Sequence, residues 1–160
     1  MNMPDMVGFD PNYESFECGL MAKILKAGTG AIDIGAHTGH YSLLAARYVS
    51  STGRVLAIEP SPFNFPRLIQ NIWANGFRHV VPLCCAVGTN SIEKLYFDGG
   101  TGGDDRLDLR PGEDRTSVSV VSLSLDVIAA NTPFATNIQF VKIDVQGRET
   151  AVIEGGRKFF

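Results

Sequence analysis

The chain has 160 residues, enough for one domain and short for two. Apolar residues make up 44% and charged residues 19%, a globular composition that excludes a disordered chain. Lys and Arg number 14 against 17 Asp and Glu, so the net charge of −3 gives no electrostatic footprint for duplex nucleic acid.

The first eleven residues carry no basic region followed by an apolar run, so no signal peptide is expected, and no stretch approaches the roughly 18 apolar residues of a membrane span. Residues 16–27 place Leu20, Met21, Ile24 and Leu25 at helical spacing, with Gly28 as the expected C-cap. A short apolar run, Ala31 to Ile34, ends in Gly35 and reads as a buried strand. Tyr41, Leu44, Ala45, Tyr48 and Val49 then recur at i, i+3, i+4, i+7 and i+8, one face of a helix. Arg54 to Ile58 is a second strand, ending at Glu59. The turn Pro60-Ser61-Pro62 leads into a helix whose expected face is Phe65, Leu68, Ile69, Ile72 and Trp73, stopped by Asn75-Gly76.

Val80 to Cys85 reads as a third strand. Strands alternating with helices over short connections predict an α/β fold: a doubly wound, mostly parallel sheet with helices on both faces. Ile92 to Phe97 and Ser117 to Val121 read as further β segments. Between them, residues 98–115 hold five glycines, six acids and three arginines without apolar periodicity, which predicts a flexible loop, a lid in its functional form. Ser122 or Ser124 is placed to cap a short helix with Leu125, Ile128 and Ala129. The last strand is Ile138 to Asp144, followed by a turn at Gly147 and a helix with Val152 and Ile153. The cysteines are Cys18, Cys84 and Cys85; an odd count with no CxxC spacing predicts reduced, buried thiols in a cytoplasmic protein.

Three elements carry chemistry. Asp33-Ile34-Gly35-Ala36-His37-Thr38-Gly39 is a D-x-G-x-x-x-G turn between strand and helix. Gly35 allows the sharp turn and a close ligand, and Gly39 opens a helix whose free N–H groups favour an anion such as an amino-acid carboxylate. The spacing is not the G-x-G-x-x-G of dinucleotide folds, and no P-loop Lys-Ser/Thr pair follows. Glu59, at the tip of the next strand, is placed to accept both hydroxyl hydrogens of a ribose. Asp144 ends the last strand, where open α/β sheets bind ligands, and can face a sulfonium or an ammonium.

The segments AIDIGAHTGHYSLLA, VLAIEPSPFNFPRLIQNIWANG, CCAVG, VVSLSLDVI and FVKIDVQGRETAVIEGG together resemble the FkbM-type methyltransferases, a branch of the class I fold that uses S-adenosylmethionine (SAM). The resemblance implies that Asp33, Gly35, Ala36 and Gly39 form the loop at the methionine side of SAM. It implies Glu59 as the ribose acid, Pro60 and Ser61 as the turn flanking adenine, and Ala86 and Val87 as its lining. Asp144 matches an acidic position near the methyl donor and Glu149 a downstream glutamate, so these two are the catalytic candidates, with His37 and His40 behind them; no metal is implied. Gln146 departs from the family, which usually has glutamate there. The implied reaction is O-methylation of a sugar or natural-product hydroxyl, with a small-molecule or glycan acceptor and neither nucleic acid nor membrane as partner. A SAM-binding module without turnover and a nicotinamide-dependent oxidoreductase are the alternatives. The class I sheet continues beyond the strand ending at Asp144, so residues 1–160 are expected to form a single SAM-binding domain lacking its C-terminal strands. Its exposed sheet edge would be covered by further strands or by a second copy in a homo-oligomer.

Overall fold

The computed structural model describes residues 6–10, 13–97, 105–108, 110, 112–132 and 137–160. Its centre is a parallel sheet of four strands in the order β3-β2-β1-β7: β3 (Val80–Leu83), β2 (Arg54–Ile58), β1 (Gly30–Ile34) and β7 (Ile138–Ile143). The doubly wound α/β expectation therefore holds. The chain moves outward from β1 to β3 and returns to the other side of β1 as β7, which makes the β1/β7 boundary a topological switch point.

Period-two alternation divides the strand residues between two cores. Ala31, Val55 and Ala57 face α1 (Ser15–Ile24), α2 (His40–Val49) and α3 (Asn64–Ala74), where Met21, Leu43, Leu44, Leu68 and Ile72 are buried. Ile32, Ile34, Leu56 and Ile58 face the other way, onto Leu125 and Ile128 of α4 (Leu125–Ala130) and Val152 of α5 (Glu149–Gly155). A second sheet, β4-β6-β5, stands beside the first: β4 (Ala86–Val87) runs parallel to β6 (Ser117–Leu123), which pairs antiparallel with β5 (Ser91–Tyr96).

Several sequence expectations need correction. Helix α1 ends at Ile24, and its buried side is Cys18 and Met21, followed by Leu25; Leu20 and Ile24 are exposed. Gly28 belongs to the next turn, where its N–H donates to the Val49 carbonyl. On α3 the buried positions are Asn64, Leu68 and Ile72, while Trp73 is 77% exposed, one residue beyond the stripe that faces the sheet. Pro66 sits in the first turn of this helix, where its missing N–H costs nothing. Cys84 is exposed, unlike Cys18 and Cys85. Of the two serines offered as caps, Ser124 is the one used, its hydroxyl accepting the Val127 N–H. Of the expected loop 98–115, residues 98–104, 109 and 111 lie outside the described residues. No helix among the described residues is long and apolar enough to cross a membrane.

Candidate cofactor and active site

The carboxyl ends of β1, β2 and β7 open onto a cavity of about 530 Å³, within the range that holds drug-sized ligands. Its floor is the turn after β1, Gly35 to Thr38. One wall is Glu59 and Pro60 after β2, with Cys85, Ala86 and Val87 from the third strand's continuation. The opposite wall holds Lys142, Asp144, Val145 and Gln146 after β7. Gly8, Asp10, Tyr13 and Glu14 of the N-terminal segment, and Asp105 to Leu107 of the long loop, close the remaining sides.

The turn after β1 is held by Gly35 and Ala36, whose N–H groups both donate to the Ile58 carbonyl at 2.9 Å. Gly35 has φ 81°, and a Cβ built on it would stand 1.9 Å from the Asp144 carbonyl oxygen. The sequence assigned this glycine's freedom to an approaching ligand; the close neighbour is the tip of β7. Gly39 has φ 99° and its missing Cβ makes room for Leu68 of α3, 2.7 Å away, so it too serves packing and lies behind the cavity wall.

Glu59 is 5% exposed and turns its carboxylate back over the β1 turn. One oxygen accepts the His37 N–H at 2.7 Å and the other accepts the Ser61 N–H at 2.9 Å. Burial pushes its pKa up to about 7, against the pull of these two donors. The bond to Glu59 accompanies φ 52° at His37, a left-handed conformation uncommon outside glycine, so the carboxylate fixes the shape of the turn after β1. Each oxygen keeps a second lone pair to accept a further hydrogen bond.

Asp33 does not reach the cavity. It is 3% exposed, accepts the Ser42 hydroxyl at 2.7 Å, and lies beneath the turn. Ser61, fully buried, also sits behind the wall, where its hydroxyl donates to Asp105 at 2.8 Å and ties the long loop to the β2 turn. Glu149 is corrected more sharply. Its Oε1 accepts the N–H groups of Gly147 at 3.2 Å and Val145 at 3.4 Å, and these donors with its own N–H hold the carboxyl below the usual glutamate range. It shapes the turn before α5 and takes no part in the cavity lining. Gln146 does line the cavity, with φ 52°.

His40 borders the cavity and stacks on Phe9 at 4.5 Å, with Tyr13 and Tyr41 edge-on to it. Burial lowers its pKa, so the ring is neutral near pH 7. Tyr41 donates to Glu14 at the same end. Sequence reasoning missed this N-terminal aromatic wall, because single aromatics before α1 show no periodicity. It also missed Lys142, which sits within an apolar strand run and reaches Asp33 and Asp144, each at 3.5 Å.

Comparison with known proteins adds the family. The description Methyltransferase FkbM domain matches residues 33–160. The chain belongs to the FkbM methyltransferase family. Its members are SAM-dependent, and the cavity lining offers that cofactor a buried acid, Glu59, on one wall and the Lys142–Asp144 pair on the other. No curated protein matches the chain in sequence at a significant level. Among solved structures, Pyrococcus horikoshii TYW2 in complex with MeSAdo is 32% identical over 44% of this chain and 26% of its own, with a TM-score of 0.40. A SAM-dependent methyltransferase from Aquifex aeolicus is 23% identical over 53% and 45%, with a TM-score of 0.38. A precorrin-6y C5,15-methyltransferase from Geobacter metallireducens is 20% identical over 46% and 39%, with a TM-score of 0.41. The chain spans less than half the length of each of these structures.

Proposed function

We propose that this FkbM domain transfers a methyl group from SAM to a hydroxyl of a sugar or natural product in the cytoplasm. The observation that carries the reading is the cavity at the strand tips, with the Glu59 carboxylate on one wall and Asp144 on the other. The chemistry SAM supplies when bound is an electrophilic methyl on a sulfonium. Glu59 holds the ribose, Ala86 and Val87 give the adenine an apolar face, and the turn Gly35 to Thr38 carries the methionyl end. Alignment of the acceptor against the methyl can supply on the order of 7–11 kcal/mol of the barrier. A hydroxyl acceptor needs a base within hydrogen-bond reach. Of the two carboxylates taken as catalytic candidates, Asp144 is the one that lines the cavity, its side chain 54% exposed. Glu149 is occupied by the α5 turn and drops out of that role.

Asp105 to Leu107, among the described residues of the long loop, contribute to the cavity wall. Free cysteines fit a reducing compartment. Strand β7 lies at the margin of its sheet, and no described residue pairs with its outer side, which supports a second copy covering that edge. A strictly monomeric species in sedimentation at micromolar concentration rejects that last part.

Titration with SAM and with NAD, followed by transfer of labelled methyl to a panel of hydroxyl compounds, tests the reading. Binding of SAM alone and label in a hydroxyl acceptor are expected. Absence of SAM binding rejects it. Binding without transfer to any acceptor favours the module without turnover, for which Gln146, in place of the family's usual glutamate, is the specific observation.

A further inference from the structure

Lys142 has no task in the reading above, yet it is the cation best placed to meet a ligand at the strand tips. It pairs with Asp33 in the β1–β7 register, so both side chains leave the same face of the sheet. Its Nζ donates to the Gly35 carbonyl at 3.1 Å and stands 3.5 Å from Asp33 Oδ1 and 3.5 Å from Asp144 Oδ2. The Tyr41 ring lies 4.9 Å below it.

The two carboxylates are not equivalent. The Asp33 side chain is 4% exposed and also accepts the Ser42 hydroxyl, so its link to Lys142 is a fixed, interior one. The Asp144 side chain is 54% exposed. An ion pair so open to water is worth little and exchanges readily. Burial works against the Lys142 ammonium, and the charges of Asp33 and Asp144 more than offset it, raising its pKa above the ordinary lysine value. A lysine held protonated cannot serve as a base. It can hold an anion.

The amino-acid end of SAM is a zwitterion, with an ammonium and a carboxylate on one carbon. A cation fixed on the cavity wall can take that carboxylate, and Lys142, held by Asp33 and the Gly35 carbonyl, is such a cation. The geometry points to Lys142 as the anchor of the methionyl carboxylate: on binding, its outer link to Asp144 opens and Lys142 Nζ takes the ligand carboxylate, which leaves Asp144 open to the acceptor. The inner links to Asp33 and the Gly35 carbonyl keep the lysine in place throughout. This assignment rests on the cavity being the SAM site.

Calorimetry with three ligands separates the two claims: SAM, decarboxylated SAM, which keeps the ammonium, and methylthioadenosine, which lacks the whole amino-acid end. The unaltered protein is expected to prefer SAM over its decarboxylated form by about tenfold or more, the worth of one charge-assisted hydrogen bond. Lys142→Met should erase that preference while leaving methylthioadenosine affinity within about twofold, and Lys142→Arg should keep the preference. The inference is overturned if the unaltered protein binds SAM and decarboxylated SAM equally, a comparison that needs no variant to fold. It is also overturned if Lys142→Met keeps the preference, or loses methylthioadenosine in equal proportion. Methylthioadenosine binding without a carboxylate preference removes this inference alone, whereas failure to bind any of the three removes the cavity reading with it.

Discussion

Glu59 is a buried acid that does two jobs. Its two oxygens hold the His37 and Ser61 N–H groups, which shapes both turns, and its remaining lone pairs face the cavity. Because burial raises its pKa to about 7, the group gains a proton within the range where enzymes are assayed. In the proposed ribose role, hydroxyls donate to the ionised form, so ligand binding favours the carboxylate and releases a proton. Affinity for S-adenosylhomocysteine should therefore fall as pH drops through the folded pKa, to about tenfold weaker one unit below it than well above it. Calorimetry across that range checks this, and a flat profile rejects it. In Glu59→Gln the slope should vanish and affinity should be low at every pH, because an amide accepts from one of the two N–H donors and confronts the other with an N–H group of its own. The place of Glu59 on the cavity wall was legible in the sequence, since it closes the second strand beside the glycine turn after the first. Lys142 was not. A lysine inside an apolar strand run shows neither its face nor its partners until the register with β1 is known.

At the scale of elements, the alternation of strands and helices was readable because each buried strand is a short apolar run and each connection carries a glycine, proline or asparagine. Exposure on the helices was less so. Trp73 and Leu20 fit an apolar stripe by spacing, yet each lies one position beyond the arc that meets the sheet. The packing roles of Gly35 and Gly39 were not legible for a related reason: a glycine's permitted φ is visible in sequence, but the neighbour that needs the space is not. Gly35→Ala tests the corrected role. The added Cβ would meet the Asp144 carbonyl at 1.9 Å, a backbone atom that cannot rotate aside, and φ 81° disfavours an L side chain in addition. The β1 and β7 tips must separate, and a loss of about 2–4 kcal/mol in chemical denaturation is expected, with or without ligand. A glycine conserved in use for ligand approach alone would give near-normal stability and only weaker binding, so unchanged stability rejects the packing role.

At the scale of the whole molecule, Glu59, Lys142, Asp144 and the Gly35–Thr38 turn all gather at one end of the central sheet. Parallel strands make this unavoidable: each carboxyl end must break off into a turn at the same edge, leaving N–H groups and side chains there to be used, while the amino ends are joined by turns such as Gly28 and Gly53. The N-terminal segment and residues 105–107 then close the cavity from outside the sheet. A ligand bound there should stiffen one end of the molecule and leave the other as it was. Hydrogen exchange with and without saturating S-adenosylhomocysteine measures that asymmetry. The amides of Gly35, Ala36, His37 and Ser61, which donate across the strand tips, and of Arg106, which pairs with Tyr96, should slow markedly. The amides of Gly28 and Gly53, hydrogen-bonded to Val49 at the far end, should stay nearly unchanged, whereas those at the strand tips can slow by up to about 2.7 kcal/mol at a ligand concentration 100-fold above Kd. Residues that open by local fluctuation at the far end do not sense the ligand, so protection spread evenly over both ends would mean that the ligand binds away from the strand tips.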